Sequence, residues 1–177
     1  MTDINEKIPF PIRLLLVEDQ LADIIATMLE KLNGYEIDTA DNGEHAVIKA
    51  IEGDYDVVIM DLLLPEMSGF EAIRRIRDTN DKIPIIALSA VPTFEDRAIE
   101  CGANLFIWKP PDFSRLNLLI HEYSYQYRKE VPLKEDSVKE LKQRRLLLLK
   151  EKMALQGMNA DPSLIIEIQN LEKSLID

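Results

Sequence analysis

A single cysteine, Cys101, stands in a chain of 177 residues, which excludes an internal disulfide and any multi-cysteine metal centre. It reads as a small apolar filler. Long apolar runs are also missing: the longest are four residues, as in Leu146-Leu147-Leu148-Leu149, against the ~20 needed to cross a bilayer. The opening MTDINEKIPF carries no basic-then-apolar export pattern, so a cytoplasmic location with no membrane partner is expected. Glycine is absent from the turn after the first apolar run, VEDQLAD, where a nucleotide-binding loop would need it. What is present is an ordinary globular balance, 46% hydrophobic and 30% charged, which excludes a disordered or fibrous chain. The length suits one well-packed domain with a small appendage.

Positive charge is scarce in the larger part of the chain. Residues 1–127 hold 11 Lys and Arg against 23 Asp and Glu, a balance of −12, whereas residues 128–177 hold 10 against 9, a balance of +1. An acidic main domain repels phosphate backbones and anionic lipid, so no nucleic-acid partner is expected.

Apolar runs and helical periodicities alternate five times. IRLLLV (12–17), YEIDTA (35–40), YDVVIMD (55–61), KIPIIALSA (82–90) and NLFIWK (104–109) read as strands. Each is followed by a segment with apolar residues at three-and-four spacing. Such alternation predicts an α/β fold with a doubly wound five-stranded parallel sheet, because parallel neighbours need a crossover and crossovers are right-handed. LLLV, VVIM and PIIAL are apolar throughout, as strands covered on both faces are, while YEIDTA alternates like an edge. Strand order 2-1-3-4-5 fits, a flavodoxin-like arrangement whose ligands bind beyond the C-terminal ends of strands 1 and 3.

At those ends lie Glu18 and Asp19, Asp61, Ser89 and Lys109. Three carboxylates and one lysine leave a charge of −2, which calls for a cation. Hard oxygen donors suit Mg²⁺, which would keep Asp61 ionised and nucleophilic toward a phosphoryl group. Lys109 and the Ser89 hydroxyl would hold the transferred oxygens.

These motifs resemble a response-regulator receiver domain over residues 12–127. LLLVEDQ resembles the family's opening strand with its acidic pair, and VIMDLLLPEMSG its phosphoacceptor strand and Pro-x-x-x-Gly loop. ALSA resembles its Ser/Thr switch, and GANLFIWKP its last strand with the Lys-Pro pair. The resemblance implies that Asp61 is the phosphoacceptor for a histidine kinase or phosphotransfer protein. It implies that Glu18, Asp19, Asp61 and the carbonyl of Leu63 bind Mg²⁺, and that Ser89 and Phe106 are the switch pair. It also implies a cis bond before Pro110. By alternation, one of Phe106 and Trp108 is expected inward and the other outward. The chain departs from the family between Ala90 and Gly102, which is about two residues short, with Pro92 where the loop should flex. His45 and His121 lie in helical patterns without partners and read as structural or exposed.

The expected organisation is an N-terminal extension (1–11), the receiver (12–128), a linker (129–136) and an antiparallel helical hairpin (137–177). Ser137-Val138-Lys139-Glu140 forms a capping box, Gly157 stops the first helix, and Asp161-Pro162 opens the second. Leu164, Ile168, Leu171 and Leu175 make one apolar stripe and Leu141, Leu148 and Leu155 another. Further leucines and isoleucines lie outside both stripes, so the hairpin is expected to dimerise or dock a protein partner. Lys142-Gln143-Arg144-Arg145 reads as a solvated helix face. Residues 144–175 also resemble a short helical segment found in large bacterial proteins carrying NTPase, TIR or caspase-like modules.

The function these features support is a phosphorylation-controlled signalling switch and not an enzyme, beyond self-phosphorylation from small donors and self-dephosphorylation. The alternative is a phosphate-independent receiver-like scaffold. An aspartate-nucleophile phosphatase would need a second acid two residues after Asp61, where Leu63 stands.

Overall fold

The structure, a computed structural model, describes residues 11–32, 34–132, 135–156 and 161–176. The N-terminal extension before Pro11, Gly157, and the side chains of Ser137, Glu140, Leu141, Arg144, Arg145 and Leu148 lie outside the described residues. The chain divides into two compact units, Met1–Pro132 and Leu133–Asp177.

The first unit is built from β1 (Ile12–Val17), α1 (Ala22–Glu30), β2 (Tyr35–Ala40), α2 (Gly43–Glu52), β3 (Val57–Asp61), α3 (Gly69–Thr79), β4 (Ile85–Ser89), α4 (Glu95–Glu100), β5 (Leu105–Trp108) and α5 (Phe113–Glu130). All strand pairs are parallel and the order is β2-β1-β3-β4-β5, as the patterns predict. The central strands bury both faces. Leu15, Val17, Val58, Met60, Ile85 and Ala87 point into a core closed by α2, α3 and α4, and Leu14, Leu16, Val57, Ile59, Ile86 and Leu88 into one closed by α1 and α5. Period two within each strand sends alternate residues to opposite faces, so a continuous apolar run satisfies both.

Several boundaries differ from the sequence expectation. β4 begins at Ile85 and not at Lys82, because Pro84 has no N–H for the ladder. Pro92–Phe94 forms a 3₁₀ turn before α4, which is only six residues long. Helix α5 continues to Glu130 and α6 starts at Glu135, so both ends of the linker expected over 129–136 are helical. Val131 precedes Pro132, and the residue before a proline is driven out of helical geometry.

The second unit consists of α6 (Glu135–Gln156) and α7 (Pro162–Ile176). Lys142 Nζ donates to the Ser174 carbonyl at 3.1 Å and Lys150 pairs with Glu172 at 2.7 Å, the descending order of an antiparallel hairpin. Leu164 and Ile168 are buried, while Leu171 and Leu175 are half-buried. Among the described residues no helix is long and apolar enough to cross a membrane.

Candidate functional site

Parallel pairing carries the ends of β1, β3, β4 and β5 to one edge of the sheet, and the chemistry collects there. Asp61 is the last residue of β3 and only 5% exposed. One carboxylate oxygen, Oδ1, accepts the Leu63 N–H at 3.0 Å; the other, Oδ2, accepts from Lys109 Nζ at 2.7 Å. Lys109 also donates to Glu18 Oε2, so one ammonium bridges two buried carboxylates. Glu18 faces two ways: its Oε1 accepts the N–H groups of Gln20 and Leu21 at 3.4 and 3.3 Å, at the entry to α1. Asp19 is exposed, with Gln20 Nε2 donating to it at 3.3 Å.

Burial pushes the Asp61 carboxyl above the usual carboxylate range. The Lys109 ammonium and the Leu63 N–H oppose the shift, and the Glu18 charge adds to it. Burial alone would lower Lys109, but its hydrogen bonds to Asp61 and Glu18 outweigh it and hold the ammonium above its ordinary value.

Oxygens of Glu18, Asp19 and Asp61 all lie within 4.8 Å of one another. Ligands on opposite sides of a magnesium ion at ~2.1 Å are ~4.2 Å apart, so a small closure fits the three around one ion. An all-oxygen donor set with an uncompensated charge of −2 is the chemistry a hard divalent cation takes.

Ser89, the last residue of β4, is fully buried, and its Oγ accepts the Val91 N–H at 3.2 Å, leaving the hydroxyl hydrogen to donate elsewhere. Its register partner in β5 is Trp108. The Lys109–Pro110 peptide is cis. Phe106 and Trp108 do differ in exposure, 8% against 58%, but alternation is not the cause. Residues two apart on a strand share a face. Phe106 belongs to the core beneath α3 and α4, while Trp108 is the strand's last residue, at the rim of the sheet where that core ends.

Two features of the site carry no side-chain signature in the sequence. The Leu63 N–H is a backbone donor, and the Lys109–Glu18 pair joins residues 91 positions apart. A third was signalled by the Pro-x-x-x-Gly spacing. A Cβ at Gly69 would stand 2.0 Å from the Asp61 carbonyl oxygen, so only glycine lets α3 start against the strand that carries the acid.

A doubly wound sheet with three acids and a lysine converging on its C-terminal edge defines the class of aspartate-based signalling domains. The chain belongs to the response regulator receiver domain family, whose model matches residues 14–121. It is 36% identical over 108 residues to the transcriptional regulatory protein CusR of Escherichia coli, covering 59% of this chain and 47% of that protein. To the cell cycle response regulator CtrA of Brucella ovis it is 37% identical over 113 residues, covering 62% and 48%. The chain thus spans about half the length of these curated relatives. Among solved structures it is similar to the receiver domain of a sensor histidine kinase from Pseudomonas aeruginosa PAO1, which has a magnesium ion in its active-site cleft (31% identity, TM-score 0.60, 64% of this chain and 98% of that one). It is also similar to the receiver domain of Saccharomyces cerevisiae Ssk1, solved with the histidine phosphotransfer protein Ypd1 (31% identity, TM-score 0.59, 65% and 90%). Receiver domains of this family are switches and not conventional enzymes.

Proposed function

We propose that Asp61 accepts a phosphoryl group from a phosphohistidine donor, a histidine kinase or phosphotransfer protein, in a magnesium-dependent reaction. The observation that carries this reading is the buried Asp61 carboxylate, with Lys109 Nζ at 2.7 Å and two further acids grouped around it. In the transfer, a carboxylate oxygen of Asp61 forms a bond to phosphorus as the donor's P–N bond breaks. The leaving imidazole keeps the bonding electron pair. Lys109 neutralises charge on the transferred oxygens, and the Ser89 hydroxyl donates to one of them while its Oγ keeps the Val91 N–H. Glu18, Asp19, Asp61 and the Leu63 carbonyl would hold magnesium, which when bound supplies positive charge against the −2 of the cluster. The magnesium in the Pseudomonas domain and the phosphotransfer partner of Ssk1 support this reading by similarity.

Intact-mass measurement after incubation with acetyl phosphate tests it. One phosphoryl increment is expected, requiring magnesium and absent in Asp61→Asn. Full acid-labile labelling of Asp61→Asn refutes the assignment. An unlabelled wild type that is folded would leave a phosphate-independent docking module.

The hairpin is the contact element of this switch. Leu155 is 90% exposed, and Leu147, Ile165 and Ile166 are also exposed, while α7 buries Leu164 and Ile168. Along α6 Leu146 and Leu149 are half-buried while Leu147 and Leu155 are exposed, more apolar surface than one partner helix covers. A second copy supplies the cover most simply, since a two-fold axis pairs like surfaces into four helices. The −12 of residues 1–127 disfavours a nucleic-acid role.

A further inference from the structure

We infer that Gly43, at the head of α2, is a positioning residue for the acidic site: it seats the loop from β3 to α3, on which the Leu63 carbonyl and N–H depend. The inference rests on the magnesium reading above.

In that loop, Leu62–Ser68, the Leu63 N–H is bonded to Asp61, Leu64 packs against the core and Ser68 caps α3. The loop's ends are fixed by backbone bonds, Leu62 N–H to the Leu88 carbonyl at 3.1 Å and Gly69 N–H to the Leu62 carbonyl at 3.2 Å. Between them Leu63, Pro65 and Glu66 are exposed, Leu64 and Ser68 are half-buried, and Met67 alone is buried. Glu66 sits at φ 61°, a left-handed conformation that residues with side chains rarely adopt and that neighbouring contacts must hold. Met67 is the buried side chain next to it, and with Leu64 it ties the loop to the core.

The surface that receives Met67 is Gly43. A Cβ built on Gly43 would stand 2.4 Å from the Met67 carbonyl oxygen and 2.9 Å from its Cβ and Cγ. The nearest of these is a backbone atom, so no rotamer change relieves the clash. Gly43 is itself buried and fixed by the Asn42 cap, whose Oδ1 accepts the His45 N–H at 2.9 Å, so α2 does not yield easily. A side chain at position 43 therefore displaces the loop. The displacement runs from Met67 through the strained Glu66 to Leu63, two residues from Asp61 and bonded to its Oδ1 at 3.0 Å. A helix that contributes no polar side chain to the site thus sets the position of one of its oxygen donors.

The experiment compares full-length wild type, Gly43→Ala, Met67→Ala and Gly34→Ala by two readouts. Amide hydrogen exchange at Leu63 and Gly69 reports the loop; calorimetric titration with magnesium chloride reports the site. Gly34 is the control, because its φ of 96° makes any side chain strained while, among the described residues beyond its chain neighbours, no atom lies within 4 Å of a Cβ there. Gly43→Ala and Met67→Ala are expected to speed exchange at both amides and to weaken magnesium binding about tenfold, the scale of outer-shell losses at metal sites. Gly34→Ala should leave both readouts unchanged. Wild-type exchange rates in Gly43→Ala, or magnesium affinity within about twofold of wild type, overturn the inference, as does an equal loss in Gly34→Ala, which would mark a generic effect of destabilisation. Should Gly43→Ala not fold, Met67→Ala decides alone by the same criteria. A wild type that binds no magnesium refutes the magnesium reading, and the proposed role of Gly43 in metal binding with it.

Discussion

Lys109 is the residue on which the electrostatics of the site turn, because it is the cation bridging the buried carboxylates of Glu18 and Asp61. Replacing it with methionine keeps the stem and removes the charge, leaving two buried acids facing each other. Removing one partner of a buried ion pair costs roughly 3–5 kcal/mol, so Lys109→Met should lower the unfolding free energy in urea by about 3 kcal/mol without magnesium. Added magnesium should restore part of it, and a variant as stable as wild type in chelator would show that the pair carries no weight. His121 makes a second prediction. Its ring lies against Tyr35, with centroids 5.6 Å apart, its Nδ1 is buried with no hydrogen-bond partner among the described residues, and burial depresses its pKa. The unfolded chain therefore takes up the proton first, near pH 6.5, so stability falls as pH drops below that value and until the folded pKa is passed. His121→Leu should flatten the stability profile in the range just below about pH 6.5, as read by thermal melts across buffers. Wild-type pH dependence in that variant would assign the effect to other groups. The sequence marks His121 as a residue without a catalytic partner, but its burial is set by the packing of α5 on β2.

Among the elements, α5 is longer than its sequence pattern suggests, since Lys129-Glu130 reads as the start of a linker. The helix continues because Arg128 is anchored. Its Nε donates to Asp56 Oδ1 at 2.6 Å, its Nη2 reaches Asp56 Oδ2 and donates to the Pro11 carbonyl at 2.8 Å, and Asp56 also accepts the Arg13 N–H at 2.7 Å. Asp56 is fully buried, so this bidentate pair fastens the end of α5 to the starts of β1 and β3, at the edge opposite the acidic site. Asp56→Asn should destabilise by about 3 kcal/mol, seen as a lower urea midpoint with an unchanged slope. A midpoint shift worth under about 1 kcal/mol would mean that the helix end is held by apolar packing alone. The strands were more legible than this helix end, because period two and continuous apolar character are local signals. An ion pair spanning 72 residues is not.

At the scale of the whole molecule, the division at Pro132 separates an acidic receiver from a nearly neutral hairpin. Like charge opposes the approach of two receivers, while a balance of +1 over residues 128–177 offers little resistance to hairpins meeting. The full chain should sediment as a dimer at micromolar concentration and a chain ending at Pro132 as a monomer. Truncation belongs after Pro132 because an earlier cut, at Tyr127, removes Arg128 and its anchor. A monomeric full chain refutes self-association. Dimerisation that survives truncation moves the contact onto the receiver.

The order of elements, the parallel sheet and the acids at the strand ends were determined by the sequence alone. Each rests on a repeat of two or 3.6 residues, or on a residue's place at the end of such a repeat, and so needs no knowledge of distant partners. Tertiary structure decided the rest. That Glu18 meets Lys109, that Asp56 holds Arg128, that Phe106 is covered and Trp108 bare, and that Gly43 makes room for Met67 all follow from segments distant in the chain being pressed together. Their geometry comes into being only once both faces of the sheet are buried, because close packing of the cores is what sets the spacing between strands, helices and loops.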